Sequence, residues 1–166
     1  MPNAEPPHRA HAAAPAADRL AMVRLAVEGI AGLSACDLEL ERGGRSYTID
    51  SLRILQGRYP ERSFALLLGA DQAATIQRWH EPAAVIAAVD VIIFNRREDQ
   101  LTAEQAFSLG FDPRRTHVLR IQTPPIAAHE IRRRVAEGLP VDELVPASVA
   151  RYITAHRLYR PKTRMG

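Results

Sequence analysis

The sequence is poor in cysteine, aromatic residues and long apolar runs. Its single cysteine, Cys36, permits no internal disulfide and no multi-cysteine zinc site, and it fits a reducing compartment. No run approaches the roughly 20 apolar residues that a membrane-spanning helix needs. We therefore expect a cytoplasmic protein with no membrane partner and no metal site built from its own side chains.

Apart from the last seven residues, the chain has no excess of positive charge. The 166 residues, 46% hydrophobic and 25% charged, have the average composition of one globular domain. Lys and Arg number 22 against 19 Asp and Glu, but three of the 22 lie in residues 160–166, which leaves 19 against 19 in residues 1–159. We predict one domain over residues 1–166 that ends in a basic tail, 160–166, with no nucleic-acid partner.

Helical and strand-like hydrophobic patterns alternate along the sequence, which predicts an α/β domain built on a parallel sheet. The apolar runs Phe64 to Leu68 and Val89 to Phe94 are typical of strands buried on both faces. The other predicted strands are Leu33 to Glu41 and Thr116 to Gln122, and the predicted helices are Ala16 to Glu28, Thr48 to Tyr59, Ala70 to Gln72, Ala83 to Ala88, Thr102 to Leu109, His129 to Glu137 and Pro146 to Tyr159.

Ligands of parallel α/β sheets bind beyond the carboxyl ends of the strands, so residues just after the apolar runs are candidates for chemistry. Asp71 follows such a run and Gly69, and its carboxylate suits either hydrogen bonding to ribose hydroxyls or capping of the next helix. Trp79, the only tryptophan, lies in a polar segment, where its ring either stacks on a planar base or pyridine or packs against protein. Spacing alone leaves both alternatives open at each residue.

Two predicted helix starts present backbone amides of the kind that attract anions. Ser46, Tyr47 and Thr48 lead into one helix, which suits a carboxylate or is an ordinary capping segment. His129 and Arg132 lie at the start of another, which suits a phosphate or is a solvated basic helix. Neither segment decides a function by itself.

Taken together and in order, these segments resemble one family, the bacterial nicotinate-nucleotide adenylyltransferases of the nucleotidyltransferase α/β superfamily. The resemblance covers roughly residues 2–159 and implies a Rossmann-like parallel sheet with flanking helices. The segments that carry it are Pro6-Pro7-His8, Asp18-Arg19-Leu20-Ala21-Met22, Ser46-Tyr47-Thr48-Ile49-Asp50, Leu68-Gly69-Ala70-Asp71, Arg78-Trp79-His80, Asn95-Arg96, Ile131-Arg132 and the ending from Leu144-Val145-Pro146 through Tyr152-Ile153 to Leu158-Tyr159.

The resemblance implies transfer of an adenylyl group from ATP to nicotinate mononucleotide, with release of pyrophosphate, in NAD biosynthesis, and with Mg²⁺ shielding the phosphates of ATP. Thr48 and its neighbours would offer backbone amides to the nicotinate carboxylate, Trp79 would stack on the pyridine ring, and Asp71 would hold ribose. His129 and Arg132 would face the ATP phosphates. The substrate-binding set that it implies is His8, Ser46, Tyr47, Thr48, Asp71, Trp79 and Arg96.

The sequence departs from the family pattern in two places. The family's opening Gly-Gly-x-Phe-x-Pro-x-His-x-Gly-His segment is absent, so we expect the first βα unit to be missing, assign no catalytic histidine, and interpret Met1 as an initiation codon assigned too late. Where the family has Ile-Ser-Ser-Thr, this chain has Ile126-Ala127-Ala128-His129, without the three hydroxyls that would bond phosphate. Each lost bond to a charged group costs roughly 1.5 to 3 kcal/mol.

Three alternatives remain open at this point. The chain is a catalytically inactive pyridine-nucleotide binder of the same fold, or an arginine-rich RNA- or DNA-binding module whose affinity would fall steeply with salt. The third alternative keeps the activity but changes the acceptor to nicotinamide mononucleotide. The Ser46-Tyr47-Thr48 helix start favours the nicotinate form, which has a carboxylate. A homo-oligomer is compatible with the sequence.

Overall fold

The computed structural model describes residues 14–95, 101–122, 124 and 126–160. The chain divides into two compact units, one formed by Met1–Ser46 with Pro125–Gly166 and the other by Tyr47–Pro124. The single domain over residues 1–166 stays a prediction, and the basic tail lies outside the described residues beyond Arg160.

Helices and strands alternate through the middle of the chain, as predicted for an α/β protein. Within the described residues the strands are β1 (Ala65–Gly69), β2 (Asp90–Asn95) and β3 (Thr116–Arg120), and the helices are α1 (Ala16–Val27), α2 (Leu38–Arg42), α3 (Thr48–Arg58), α4 (Ala70–Ala73), α5 (Pro82–Ala88), α6 (Ala103–Ser108), α7 (Ala128–Ala136) and α8 (Ala147–Ala155), with a 3₁₀ turn at Ile76–Arg78.

The unit Tyr47–Pro124 is built on a parallel sheet in the order β1-β2-β3. Leu68 lies opposite Ile93, which in turn lies opposite Val118. Side chains of β1 and β2 form one hydrophobic cluster with residues of α3, α5 and α6. Because the strands are parallel, their carboxyl ends meet at one edge of the sheet, where Asp71 follows β1.

Neither apolar strand is buried on both faces, so the prediction that both faces are buried was wrong. Leu68 and Ile93 are buried, but Leu67 is 64% exposed and Phe94 is only partly buried. Alternate residues of a strand point to opposite faces, and in a continuous apolar run the two faces read alike. The sequence therefore located these strands but did not distinguish their faces.

The unit that contains α1, α2, α7 and α8 has its own small hydrophobic cluster, in which Val149 and Ile153 of α8 pack with Leu25 of α1. A hydrogen bond of 2.8 Å from the Tyr152 hydroxyl to Asp18 also joins these two helices. No helix among the described residues is long and apolar enough to cross a membrane.

The predicted strand Leu33 to Glu41 is wrong, because its second half forms α2. Leu38, Glu39, Leu40, Glu41 and Arg42 are all strong helix formers, and alternation over so few residues does not separate a strand from one helical turn. Leu38 is buried, and Gly43 ends the helix with φ of 68°, a conformation that suits glycine.

Candidate functional site

Asp71 lies at the carboxyl end of β1, and its carboxylate folds back over Gly69. The N-cap of α4 is Gly69, and no side chain caps that helix, so the capping alternative for Asp71 was wrong. A Cβ atom placed on Gly69 would lie 2.6 Å from Asp71 Oδ1. Asp71 is exposed and lines an open cavity of about 500 Å³ together with Leu101 and Gln105. The carboxylate is therefore accessible, and it occupies space that only a glycine leaves free.

The start of α3 has no side-chain cap. Tyr47 is its N-cap residue, in extended conformation, and the first helical hydrogen bond runs from the Ser51 N–H to the Tyr47 carbonyl at 3.3 Å. The earlier amides of this turn, beginning with Thr48, have no partner within the helix. Directly before them Ser46 is buried, and its hydroxyl has no hydrogen-bond partner among the described residues. This helix start has the backbone donors that a carboxylate needs.

Trp79 follows the 3₁₀ turn Ile76–Arg78 and is partly buried against the same hydrophobic cluster as Tyr47. The next residue, His80, lies against the Tyr47 ring, with centroids 4.2 Å apart and planes inclined by 31°. Packing against protein is thus confirmed for part of the tryptophan ring. The structure also brings the Trp79 turn next to Tyr47, at the start of α3.

Glu81 joins this turn to α3 a second time. Arg53 Nη1 donates to Glu81 Oε1 at 3.1 Å, and Nη2 donates to Oε2 at 2.6 Å. These hydrogen bonds lower the pKa of the Glu81 carboxyl and raise the pKa of Arg53, and the positive charge of Arg53 acts in the same direction on Glu81. Glu81 is also the N-cap of α5, with φ of 48° and ψ of 59°.

The two residues predicted to face the ATP phosphates, His129 and Arg132, lie on α7, in the unit formed by Met1–Ser46 with Pro125–Gly166. Ala127 is the N-cap of α7, and it supplies no side-chain hydrogen bond. His129 is exposed in the first turn, and Arg132 is partly buried, without an ion-pair partner among the residues described. The positive charge of Arg132 lowers the pKa of Tyr159, although burial is the larger effect and raises it.

The arginines that follow Arg132 are engaged with carboxylates. Arg133 donates to Glu130 at 2.7 Å and 2.9 Å and to Glu137 at 2.6 Å, and Arg134 lies 3.8 Å from Glu130. Glutamates therefore largely neutralise the charge of Arg133 and Arg134, so the alternative of a solvated basic helix does not describe these two arginines. Arg132 stands apart as the arginine of α7 whose charge is available.

His8 and Arg96 lie outside the described residues. Asn95, just before Arg96, is buried at the end of β2, and its amide group both donates to and accepts from the Leu101 backbone, at 2.8 Å and 3.1 Å. This pair of bonds fixes the position of Leu101 beside the cavity that Asp71 lines.

No group of three or more His, Cys, Asp or Glu side chains that could hold a metal ion occurs in the described part of the chain. Mg²⁺ in nucleotide-binding proteins is usually held by one or two carboxylates, water and the phosphates of the substrate.

His80, Arg53 and Glu81 were not predicted from the sequence as site residues. Arg53 and Glu81 are 28 residues apart, so no local pattern connects them. A weak signal does exist, because Glu81 precedes Pro82, and the residue before a proline is disfavoured in the right-handed helical conformation and marks a turn or helix boundary.

Residues 1–134 match the cytidylyltransferase-like family, and the chain is 37% identical to the probable nicotinate-nucleotide adenylyltransferase of Symbiobacterium thermophilum over 96% of this chain and 78% of the relative. It is also 37% identical to the one from Salinibacter ruber, over 97% of this chain and 81% of the relative. The chain belongs to the nicotinate-nucleotide adenylyltransferase family.

A solved structure supports the fold. The Plasmodium falciparum nicotinic acid mononucleotide adenylyltransferase complexed with APC superposes with a TM-score of 0.58 at 19% identity, over 70% of this chain. This chain spans 60% of the length of that protein. A complex of the Plasmodium enzyme with NaAD superposes with a TM-score of 0.57. The Rossmann-like sheet with flanking helices that the resemblance implied is thus confirmed.

Proposed function

We propose that this chain transfers the adenylyl group of ATP to nicotinate mononucleotide, as a step of NAD biosynthesis. A phosphate oxygen of the mononucleotide forms a bond to the α-phosphorus of ATP, the bond from that phosphorus to the oxygen of the β-phosphate breaks, and pyrophosphate leaves. Such transfers need mainly positioning and neutralisation of charge. The observation that carries the proposal is the uncapped start of α3 at Thr48 with the Trp79 turn held beside it.

The acceptor part of the site combines a carboxylate binder with a ring binder. Amides at the start of α3 favour a negative charge. The accessible part of Trp79 offers a flat surface for a pyridine ring. Asp71, whose carboxylate is exposed, accepts hydrogen bonds from ribose hydroxyls.

We assign the ATP phosphates to the start of α7. Arg132 supplies a charge that no carboxylate neutralises within the described residues, and His129 in the first turn adds an imidazole N–H donor. Mg²⁺ arrives with ATP as part of the substrate. His8 and Arg96 complete the predicted set, and we keep their roles as predictions. Cys36, the only cysteine, supports a cytoplasmic location.

The experiment that tests the proposal is pyrophosphate release from ATP with either nicotinate or nicotinamide mononucleotide. We expect faster release with the nicotinate form, because only that acceptor has a carboxylate for the start of α3. Equal rates with both acceptors would contradict the proposed role of that helix start. No release with either acceptor would contradict the proposed activity.

One observation favours a second candidate, a pyridine-nucleotide binder without turnover. Ala127 and Ala128 at the start of α7 have no side-chain hydroxyl, so this helix start offers a phosphate backbone amides but no hydroxyl donors. This candidate predicts binding of nicotinate mononucleotide by calorimetry, weakened by Trp79→Ala, without pyrophosphate release. Steady turnover would exclude it.

A further inference from the structure

The turn that carries Trp79 is tied to α3 at two points that bracket Thr48. His80 contacts Tyr47, one residue before Thr48, and Glu81 binds Arg53, five residues after it. The two residues that follow Trp79 are therefore both fixed to the helix whose start would bind the carboxylate. Trp79 itself is held by packing against the hydrophobic cluster.

The contact between Arg53 and Glu81 restricts orientation as well as distance. Both guanidinium Nη atoms donate to separate carboxylate oxygens, at 3.1 Å and 2.6 Å. A planar guanidinium that binds both oxygens fixes the plane and direction of its partner, which a lysine does not. Asp50, on the same helix, lies 3.9 Å from Arg53 and adds a second negative charge on that side.

The backbone of Glu81 supports this interpretation. Its φ of 48° lies in the left-handed region, which non-glycine residues seldom occupy, and the following Pro82 adds a steric restriction. Such conformations persist where surrounding contacts hold them, and they concentrate at functional sites. Glycine would adopt this turn more easily, so the glutamate is explained by its carboxylate, which reaches Arg53.

We infer that Arg53 and Glu81 are positioning residues for the acceptor: their ion pair, with the Tyr47–His80 contact, sets the place of the Trp79 ring relative to the carboxylate-binding start of α3. This inference rests on the proposed function. In it, Arg53 and Glu81 do not contact the substrate. They set the distance between the site for the pyridine ring and the site for the carboxylate of the mononucleotide.

The fluorescence of Trp79 tests the tie without any ligand, because Trp79 is the only tryptophan in the chain. In Arg53→Ala and Glu81→Gln we expect faster quenching by acrylamide and lower anisotropy than in the wild type, with Arg53→Lys in between. The matched control is Asp90→Asn, which removes the charge of Asp90 from its 2.9 Å pair with Arg115, at the amino end of β2. The two pairs have similar side-chain exposure, 54% and 41% for Arg53 and Glu81 against 39% and 51% for Arg115 and Asp90.

Kinetics then test the link to the acceptor. We expect Arg53→Ala and Glu81→Gln to raise the KM for nicotinate mononucleotide by about 1.5- to 5-fold, the range for an exposed ion pair, with kcat and the KM for ATP unchanged. Arg53→Lys should recover part of the loss, and Asp90→Asn should behave as the wild type.

The outcomes separate this inference from the proposed function. If the fluorescence of Arg53→Ala and Glu81→Gln equals that of the wild type, the positioning role is overturned whatever the activity. A changed fluorescence with an unchanged KM overturns the link between the turn and the acceptor. A wild-type protein that neither binds nor turns over nicotinate mononucleotide overturns the proposed function itself.

Discussion

Replacing Gly69 with alanine should displace the Asp71 carboxylate while leaving the fold in place. Gly69 has φ of −69° and ψ of 151°, a conformation that alanine adopts without strain. The added Cβ would lie 2.6 Å from Asp71 Oδ1 and 3.8 Å from a ring carbon of Phe94. The second distance is an ordinary contact, but the first must lengthen to between 3.0 Å and 3.4 Å. The carboxylate therefore moves by about 0.4 to 0.8 Å.

The magnitude follows from what this carboxylate does in the proposed site. Hydrogen bonds from ribose hydroxyls to a charged carboxylate contribute about 1.5 to 3 kcal/mol. Losing about half of that through misplacement raises the KM for nicotinate mononucleotide about 4- to 12-fold. The atoms that shift are the end of an exposed side chain, so the free energy of unfolding should change by less than about 1 kcal/mol.

The assay is the KM from pyrophosphate release, with urea unfolding measured on the same samples. Gly57→Ala is the matched control, because a Cβ at Gly57 in α3 meets no atom within 4 Å. That change should leave the KM unaltered and stabilise the protein by up to about 1 kcal/mol. A wild-type KM in Gly69→Ala would refute the ribose role of Asp71, and a large loss of stability would refute the argument that only the side chain moves.

Three further predictions concern the ring, the phosphates and pH. Trp79→Ala should weaken binding of nicotinate mononucleotide about 5- to 150-fold in calorimetry, because stacking on an aromatic ring contributes about 1 to 3 kcal/mol. Trp79→Phe should weaken it by less. Equal affinities of Trp79→Ala and the wild type would exclude stacking. Arg132→Ala should raise the KM for ATP about 10- to 150-fold. Arg133→Ala should not change it, because the Arg133 guanidinium already binds two glutamates. Equal effects of the two substitutions would contradict the assignment of the ATP phosphates to Arg132. Because Arg53 lowers the pKa of Glu81 below its usual 4.5, the stability that Glu81 adds is present above pH 4.5 and is lost as pH falls through the lowered value. Urea unfolding should therefore separate Glu81→Gln from the wild type at neutral pH and no longer at strongly acid pH, and a constant difference would contradict the ion pair.

The sequence predicted the elements whose signals are local. The helix from Thr48 and the strand that ends at Gly69 were found because a helical period and an apolar run each show within ten residues. The strand predicted over residues 33–41 was wrong because its local signal is ambiguous. A few alternating residues fit both a strand and a helical turn. The exposed position of Leu67 was missed because every residue of its run is apolar.

The candidate site shows a similar division. Asp71, Trp79 and Thr48 stand at strand and helix ends, where parallel sheets place ligands, so their positions in the chain indicated them. Arg53 and Glu81 meet only after folding, across 28 residues of sequence. The difference between Arg132 and Arg133 likewise depends on which arginine faces the glutamates of α7, which three consecutive arginines do not reveal.

The proposed adenylyl transfer is tested by the rate of pyrophosphate release from ATP in the presence of nicotinate mononucleotide, compared with nicotinamide mononucleotide and with no acceptor. We expect release that depends on the acceptor and is faster with the nicotinate form. Binding of nicotinate mononucleotide without any release, or release that ignores the carboxylate, would contradict it.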